Sequence, residues 1–121
     1  MAKGDILQTV TLGPGPDAVP FSFSATPTNG DLLVAALYVN ANSANDFTCS
    51  GWTIIVDTLD ELSLADHRLV VFAKIASSET NSYSIDRTGT GEVYYDCAAW
   101  RVEGVFDSLT AVVFDTARTN A

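Results

Sequence analysis

The chain has 121 residues, 47% of them hydrophobic, and six basic against fifteen acidic side chains give it a formal net charge of −9. That length suits a single domain spanning residues 1–121 and leaves no room for a second core. The acidic balance excludes a nucleic acid or an anionic membrane surface as a natural partner, because binding to either rests on lysine and arginine.

The first five residues form an N-terminal arm, and Ile6 to Leu12 reads as the first strand. In Met1–Val10 one lysine is followed by Asp5, without the apolar core of a signal peptide, so the expectation is a soluble chain made in the cytosol. The turn Gly13-Pro14-Gly15-Pro16-Asp17 combines residues that fix φ with residues that accept positive φ. In Phe21-Ser22-Phe23-Ser24 aromatic and hydroxyl residues alternate, the period of a half-buried strand. Pro27-Thr28-Asn29-Gly30-Asp31 is the next turn.

Leu32 to Val39 is apolar at every position, which predicts a central strand with one face in an inter-sheet core and the other covered by a loop or by another molecule. Asn40 to Gly51 follows as a long polar loop with short side chains. From Trp52 to Asp57, positions 52, 54 and 56 predict one apolar face, and Leu59 to Ala65 offers one helical turn at most. Between His67 and Ile75 the alternation sets Leu69, Val71, Ala73 and Ile75 against a mixed side that carries Arg68, Val70, Phe72 and Lys74. Ser77 to Ser82 is a turn, and Gly89-Thr90-Gly91-Glu92 reads as a hairpin turn. Val93 to Val102 and Leu109 to Phe114 continue the pattern, and residues 116–121 are a polar tail. The tally is about eight strands and no helix, which predicts an all-β, two-sheet antiparallel β-sandwich.

Candidates for chemistry are few. The single histidine, His67, stands at a strand edge, and no Gly-x-Ser-x-Gly elbow occurs, so nothing points to nucleophilic catalysis. Asp57, Asp60, Glu61 and Asp66 are the densest carboxylates, but their spacing does not match a calcium loop. Cys49 and Cys97 are too far apart for the closely spaced pairs of a disulfide scaffold or a zinc site, and the sequence leaves open whether they bridge each other. The expectation is a protein that is not an enzyme and uses no metal or cofactor.

Contact residues have better candidates. Asn40, Asn42 and Asn45, with Phe47, belong to the long polar loop, the kind of segment that carries binding function; the other reading of Phe47 is a ring tucked back onto the core. Tyr94 and Trp100 share a face of their strand, suited either to stacking on a sugar or to closing the end of the sandwich.

The segments NGDLLVAALYVN, SGWTIIVDT, RLVVFAKIASSETNSYSIDRTGTGE and AAWRVEGV, spanning about residues 29–105, resemble a jelly-roll-like β-sandwich module found in structural proteins of tailed bacteriophages and in some bacterial surface proteins. The resemblance implies that Gly30-Asp31 forms the turn leading into the buried strand and that Gly51-Trp52 sets an aromatic plug at the sandwich rim. It carries over no catalytic residue. Chains of that kind commonly continue past the AAWRVEGV-like segment with a second Gly-Asp-Leu strand. Here only Leu109 to Asp115 and the tail follow, so the sandwich is either shorter or completed by a neighbouring subunit.

The implied function is that of a virion structural protein: a capsid decoration or cement protein that stabilises the shell by contacts with the major capsid protein or other virion proteins. The expected assembly is a homo-oligomer, a trimer, located in the virion. The alternative is a carbohydrate-binding module of a tail fibre or adhesin, with a host-surface glycan as ligand.

Overall fold

The computed structural model of the chain describes residues 6–12, 18–40, 46–60, 67–88 and 94–109. They form eight strands: β1 (Ile6–Leu12), β2 (Ala18–Ser22), β3 (Leu32–Asn40), β4 (Asp46–Cys49), β5 (Thr53–Asp60), β6 (His67–Ile75), β7 (Ser82–Thr88) and β8 (Tyr94–Val102). A five-stranded sheet in the order β1-β8-β3-β6-β5 faces a three-stranded sheet in the order β2-β7-β4, and every ladder is antiparallel. The fold is therefore an all-β, two-sheet sandwich.

The pairing is nested. The first strand pairs with the last, the second with the seventh and the third with the sixth, as if one long hairpin had been rolled into two layers. This is the jelly-roll order, with one departure: β5 pairs with β6 in the larger sheet, so the smaller sheet ends at β4.

Alternation explains the core. Leu33, Ala35, Leu37 and Val39 of β3 point to the smaller sheet, as do Val70 and Phe72 of β6 and Cys97 and Ala99 of β8, and all are buried. Val19 and Phe21 of β2, Phe47 and Cys49 of β4, and Ile85 of β7 meet them from the other side. Each fully buried Leu, Ile or Phe contributes about 2 kcal/mol by leaving water. Phe21, Phe23, Trp52 and Tyr83 close one end, with ring centroids 5.1 to 6.3 Å apart and mostly edge-to-face, so Trp52 does form a plug at the rim.

Several sequence expectations need correction. In β6, where alternation left the core side open, the mixed side is the core side: Val70 and Phe72 are fully buried, whereas Leu69 is 36% exposed. Trp52 precedes β5 and is buried while Ile54 is exposed, and a register shift between Ile54 and Val56 breaks the single apolar face expected there. Asp46–Cys49, read as the end of a polar loop, is a strand. The expected turn Gly89-Thr90-Gly91-Glu92 lies outside the described residues; the strands before and after it, β7 and β8, belong to different sheets. Of the expected strand Leu109 to Phe114, only Leu109 is among the described residues, and it is not in a strand.

Candidate functional site

The feature that the core does not account for is the outer face of the larger sheet. Because side chains alternate, the register fixes which residues share it. Across β6, β3 and β8 the outward rows are Leu69-Tyr38-Asp96, Val71-Ala36-Ala98, Ala73-Val34-Trp100 and Ile75-Leu32-Val102. Thr58, Val56 and Thr53 extend the first three rows onto β5. An antiparallel sheet with one solvated side ordinarily alternates apolar-in with polar-out. Here the outward side is apolar too, and among the described strand residues the register puts charge on it only at Asp96 and, at the end of β5 opposite His67, at Asp60. Tyr38 is 48% exposed, and Val34, Ala36, Val71 and Trp100 are half-buried.

The sheet edges present the opposite picture. Unpaired strand edges invite other chains, and proteins blunt them with bulges, prolines or short strands. All four edges carry such a device. The edge strand β1 has a register shift between Ile6 and Gln8, and β5 has one between Ile54 and Val56. Pro20, which has no N–H to donate, lies in the edge strand β2, and β4 is only four residues long. Contact with another protein is thus favoured on the open face over the edges.

The candidate contact residues scatter. Phe47 is 4% exposed, with the Arg68 guanidinium 5.5 Å from its ring centroid, so it takes its core reading and has little surface for a ligand. Trp100 stands in the outer face. Asn40 and Tyr94 pair at the far end of the β3–β8 ladder, and Asn42 and Asn45 lie outside the described residues. Six residues of strand separate Tyr94 from Trp100, about 20 Å, too far for both to stack on one sugar ring.

Polar groups gather in two places at the end of the sandwich where β3 starts and β6 ends, which Ala76 joins through backbone hydrogen bonds with Gly30 and Asp31. At one, Asp31 is buried and takes hydrogen bonds from Arg101 Nε at 2.8 Å, Thr28 N at 3.1 Å and Gly104 N at 3.3 Å. Gly30 adopts φ +95°, and its carbonyl accepts from Phe106 N at 2.9 Å, so Gly30-Asp31 both leads into β3 and clasps the segment after β8. An open hollow of about 330 Å³ lies beside it, lined in part by Asn29, Glu103 and Val105.

A second open hollow, about 400 Å³, is lined by hydroxyls together with Lys74, Glu79 and Asp86. There Glu79, whose side chain is 2% exposed, bridges Lys74 at 3.1 Å and accepts from Ser77 N and the Tyr83 hydroxyl. Burial opposes its charge, but these donors outweigh burial and hold its carboxyl below the usual range. Burial, and then Glu79 itself, pushes the Tyr83 phenol up.

Neither of these places has the makings of a reactive centre. Cys49 and Cys97 are both free and buried, and burial pushes their thiols up to about 12 and about 11. Asp57, from the acidic cluster, commits both carboxylate oxygens to Arg68 at 2.8 Å. Among the described residues no group of three or more potential ligands is placed to hold a metal ion. Sequence reasoning expected cover on the second face of β3 but missed that β6 and β8 extend that face, a signal present in the doubly apolar middle of β6.

No family model matches the chain, and no curated protein or solved structure shows a significant match to it.

Proposed function

We propose that the chain is a structural protein of a tailed-bacteriophage virion, most simply a capsid decoration protein that reinforces the shell by docking to other proteins. The observation that carries this reading is the apolar outer face of the five-stranded sheet, which bears little charge on an otherwise acidic chain. Tyr38 and Leu69 are exposed on it and most of its other residues are half-buried, with Leu32 and Ala73 buried, and an exposed apolar patch of this kind marks protein contact. The jelly-roll strand order and the resemblance of the segments in residues 29–105 to phage modules support the same reading.

In mechanism the protein performs no chemistry. Burying apolar area between subunits releases water, and each joint formed adds to the work needed to separate neighbouring shell proteins. The test is an affinity-tagged chain produced in its source while particles assemble. Co-purification with finished particles, in a fixed number of copies per shell, is the expected result. Finished particles that never contain the chain would sink the proposal.

The glycan-binding alternative rests on Trp100. It predicts saturable quenching of tryptophan emission by host polysaccharide, which the decoration reading does not.

A further inference from the structure

We infer that the occupant of the outer face is a second copy of this chain, packed sheet on sheet about a two-fold axis. This rests on reading that face as a docking surface and adds the partner's identity.

The dimensions suit a pair. Five strands about 4.8 Å apart and seven to nine residues long, at about 3.4 Å per residue, present a face on the order of 700 Å², part of it already covered at Leu32 and Ala73. Stable interfaces take about 800 Å² from each partner. A second copy supplies a surface of matching size, matching apolar character and matching twist, so two such faces pack as the two layers of a sandwich do, about 10 Å apart.

Charge points the same way. Two chains of net charge −9 repel each other in general. The one orientation that keeps most of that charge away from the joint brings the outer faces together, because among their described strand residues only Asp96 and Asp60, both toward one end of the face, are acidic. A strongly basic partner would instead seek the acidic surfaces elsewhere on the chain.

The edge devices exclude the competing arrangement. Dimers or trimers built by adding strands need an open edge, and β1, β2, β4 and β5 are each bulged, proline-bearing or very short. A face that meets its own copy is isologous and closes at two subunits. The geometry therefore favours a dimer over the trimer expected from the sequence.

Sedimentation equilibrium on the full chain tests this directly. Wild type should be dimeric at high micromolar concentration. The double variant Tyr38→Glu/Leu69→Glu sets acidic groups at the exposed positions of the joint, in the row that also holds Asp96, and should weaken association at least ~100-fold, since unpaired charge buried in an interface costs several kcal/mol. Its strand content and melting temperature should stay close to wild type, as both side chains face outward. Thr48→Lys, whose side chain is exposed on the short edge strand β4, should leave the dimer intact. A monomeric wild type, a trimer, a dimer that survives the double variant, or a dimer lost in Thr48→Lys would each overturn the inference. A monomeric chain that still co-purifies with particles would end this inference alone; a dimer never found in particles would end the virion reading alone.

Discussion

Asp31 and Arg101 meet at 2.8 Å although seventy residues separate them in sequence, and their side chains are 3% and 14% exposed. Asp31 sits just before the central strand β3, and Arg101 lies near the end of β8, its neighbour in the sheet. The pair fixes the β3–β8 register at one end. Through Gly104 N it also ties down the chain that leaves β8.

Removing one partner of this pair should be costly. Asp31→Ala leaves a largely buried guanidinium and two backbone N–H groups without their acceptor, and should lower stability by about 3–5 kcal/mol. The double variant Asp31→Leu/Arg101→Met should lose less than the sum of the two single changes. Urea unfolding of the four proteins measures both effects. Additive losses would mean that the two residues act independently.

Two glycines at positive φ should respond differently to alanine. At Gly30, φ is +95° and an added Cβ would stand 3.2 Å from the Gly104 carbonyl oxygen and 3.3 Å from Val105 Cα, both backbone. At Gly51, φ is +83°, but the nearest atom is the flexible Lys74 Nζ at 3.4 Å. Gly51→Ala should cost about 1 kcal/mol from conformation alone. Gly30→Ala should cost about 2–3 kcal/mol, since the segment clasped against it must also shift. Thermal unfolding of the pair checks the order.

Acid should loosen the end of the sandwich around Glu79. Its folded-state carboxyl lies below the ordinary 4.5 despite burial, owing to Ser77, Lys74 and Tyr83. A carboxyl lowered by folding contributes stability that is fully present above the unfolded value and disappears as pH falls through the folded one. Melting temperature should therefore drop as pH falls below about 4.5, and Glu79→Gln should flatten that part of the curve. An unchanged acid profile in Glu79→Gln would assign the sensitivity to other carboxylates such as Asp57, which Arg68 also holds low.

Much of the architecture was legible from turn chemistry and strand-length apolar pieces: the all-β class, the central place of β3, and the turn at Gly30-Asp31; the place of Trp52 at the rim came from the resemblance, since periodicity alone had put it on a face with Ile54 and Val56. The facing of β6 was not. Both its sides are apolar in the middle, so alternation alone gives no sign, and Arg68 and Lys74 made the core side look like the solvent side. Their long stems let the charged ends leave the interior at the rims, where Arg68 reaches Asp57 and Lys74 reaches Glu79. The short strand β4 was hidden because Asp46 and Thr48 face outward and leave only Phe47 and Cys49 as apolar signal. The Asp31–Arg101 pair was invisible for another reason: no local pattern joins residues seventy positions apart. The outer face was readable only as an excess of apolar residues, and its meaning depended on knowing that Tyr38 and Leu69 are exposed on it.

The central claim, that the apolar outer face is closed by another copy, is tested most directly by Trp100, which stands in the middle of that face. Trp52, the other tryptophan, is buried in the core and reports on folding. Emission and acrylamide quenching should be followed as the protein is concentrated from dilute solution, in wild type and in Trp100→Phe. The account predicts a blue shift and reduced quenching in wild type as dimers form, and no concentration dependence in Trp100→Phe. Wild-type emission and quenching that stay constant while sedimentation shows association would contradict it, because the molecules would then be meeting somewhere else.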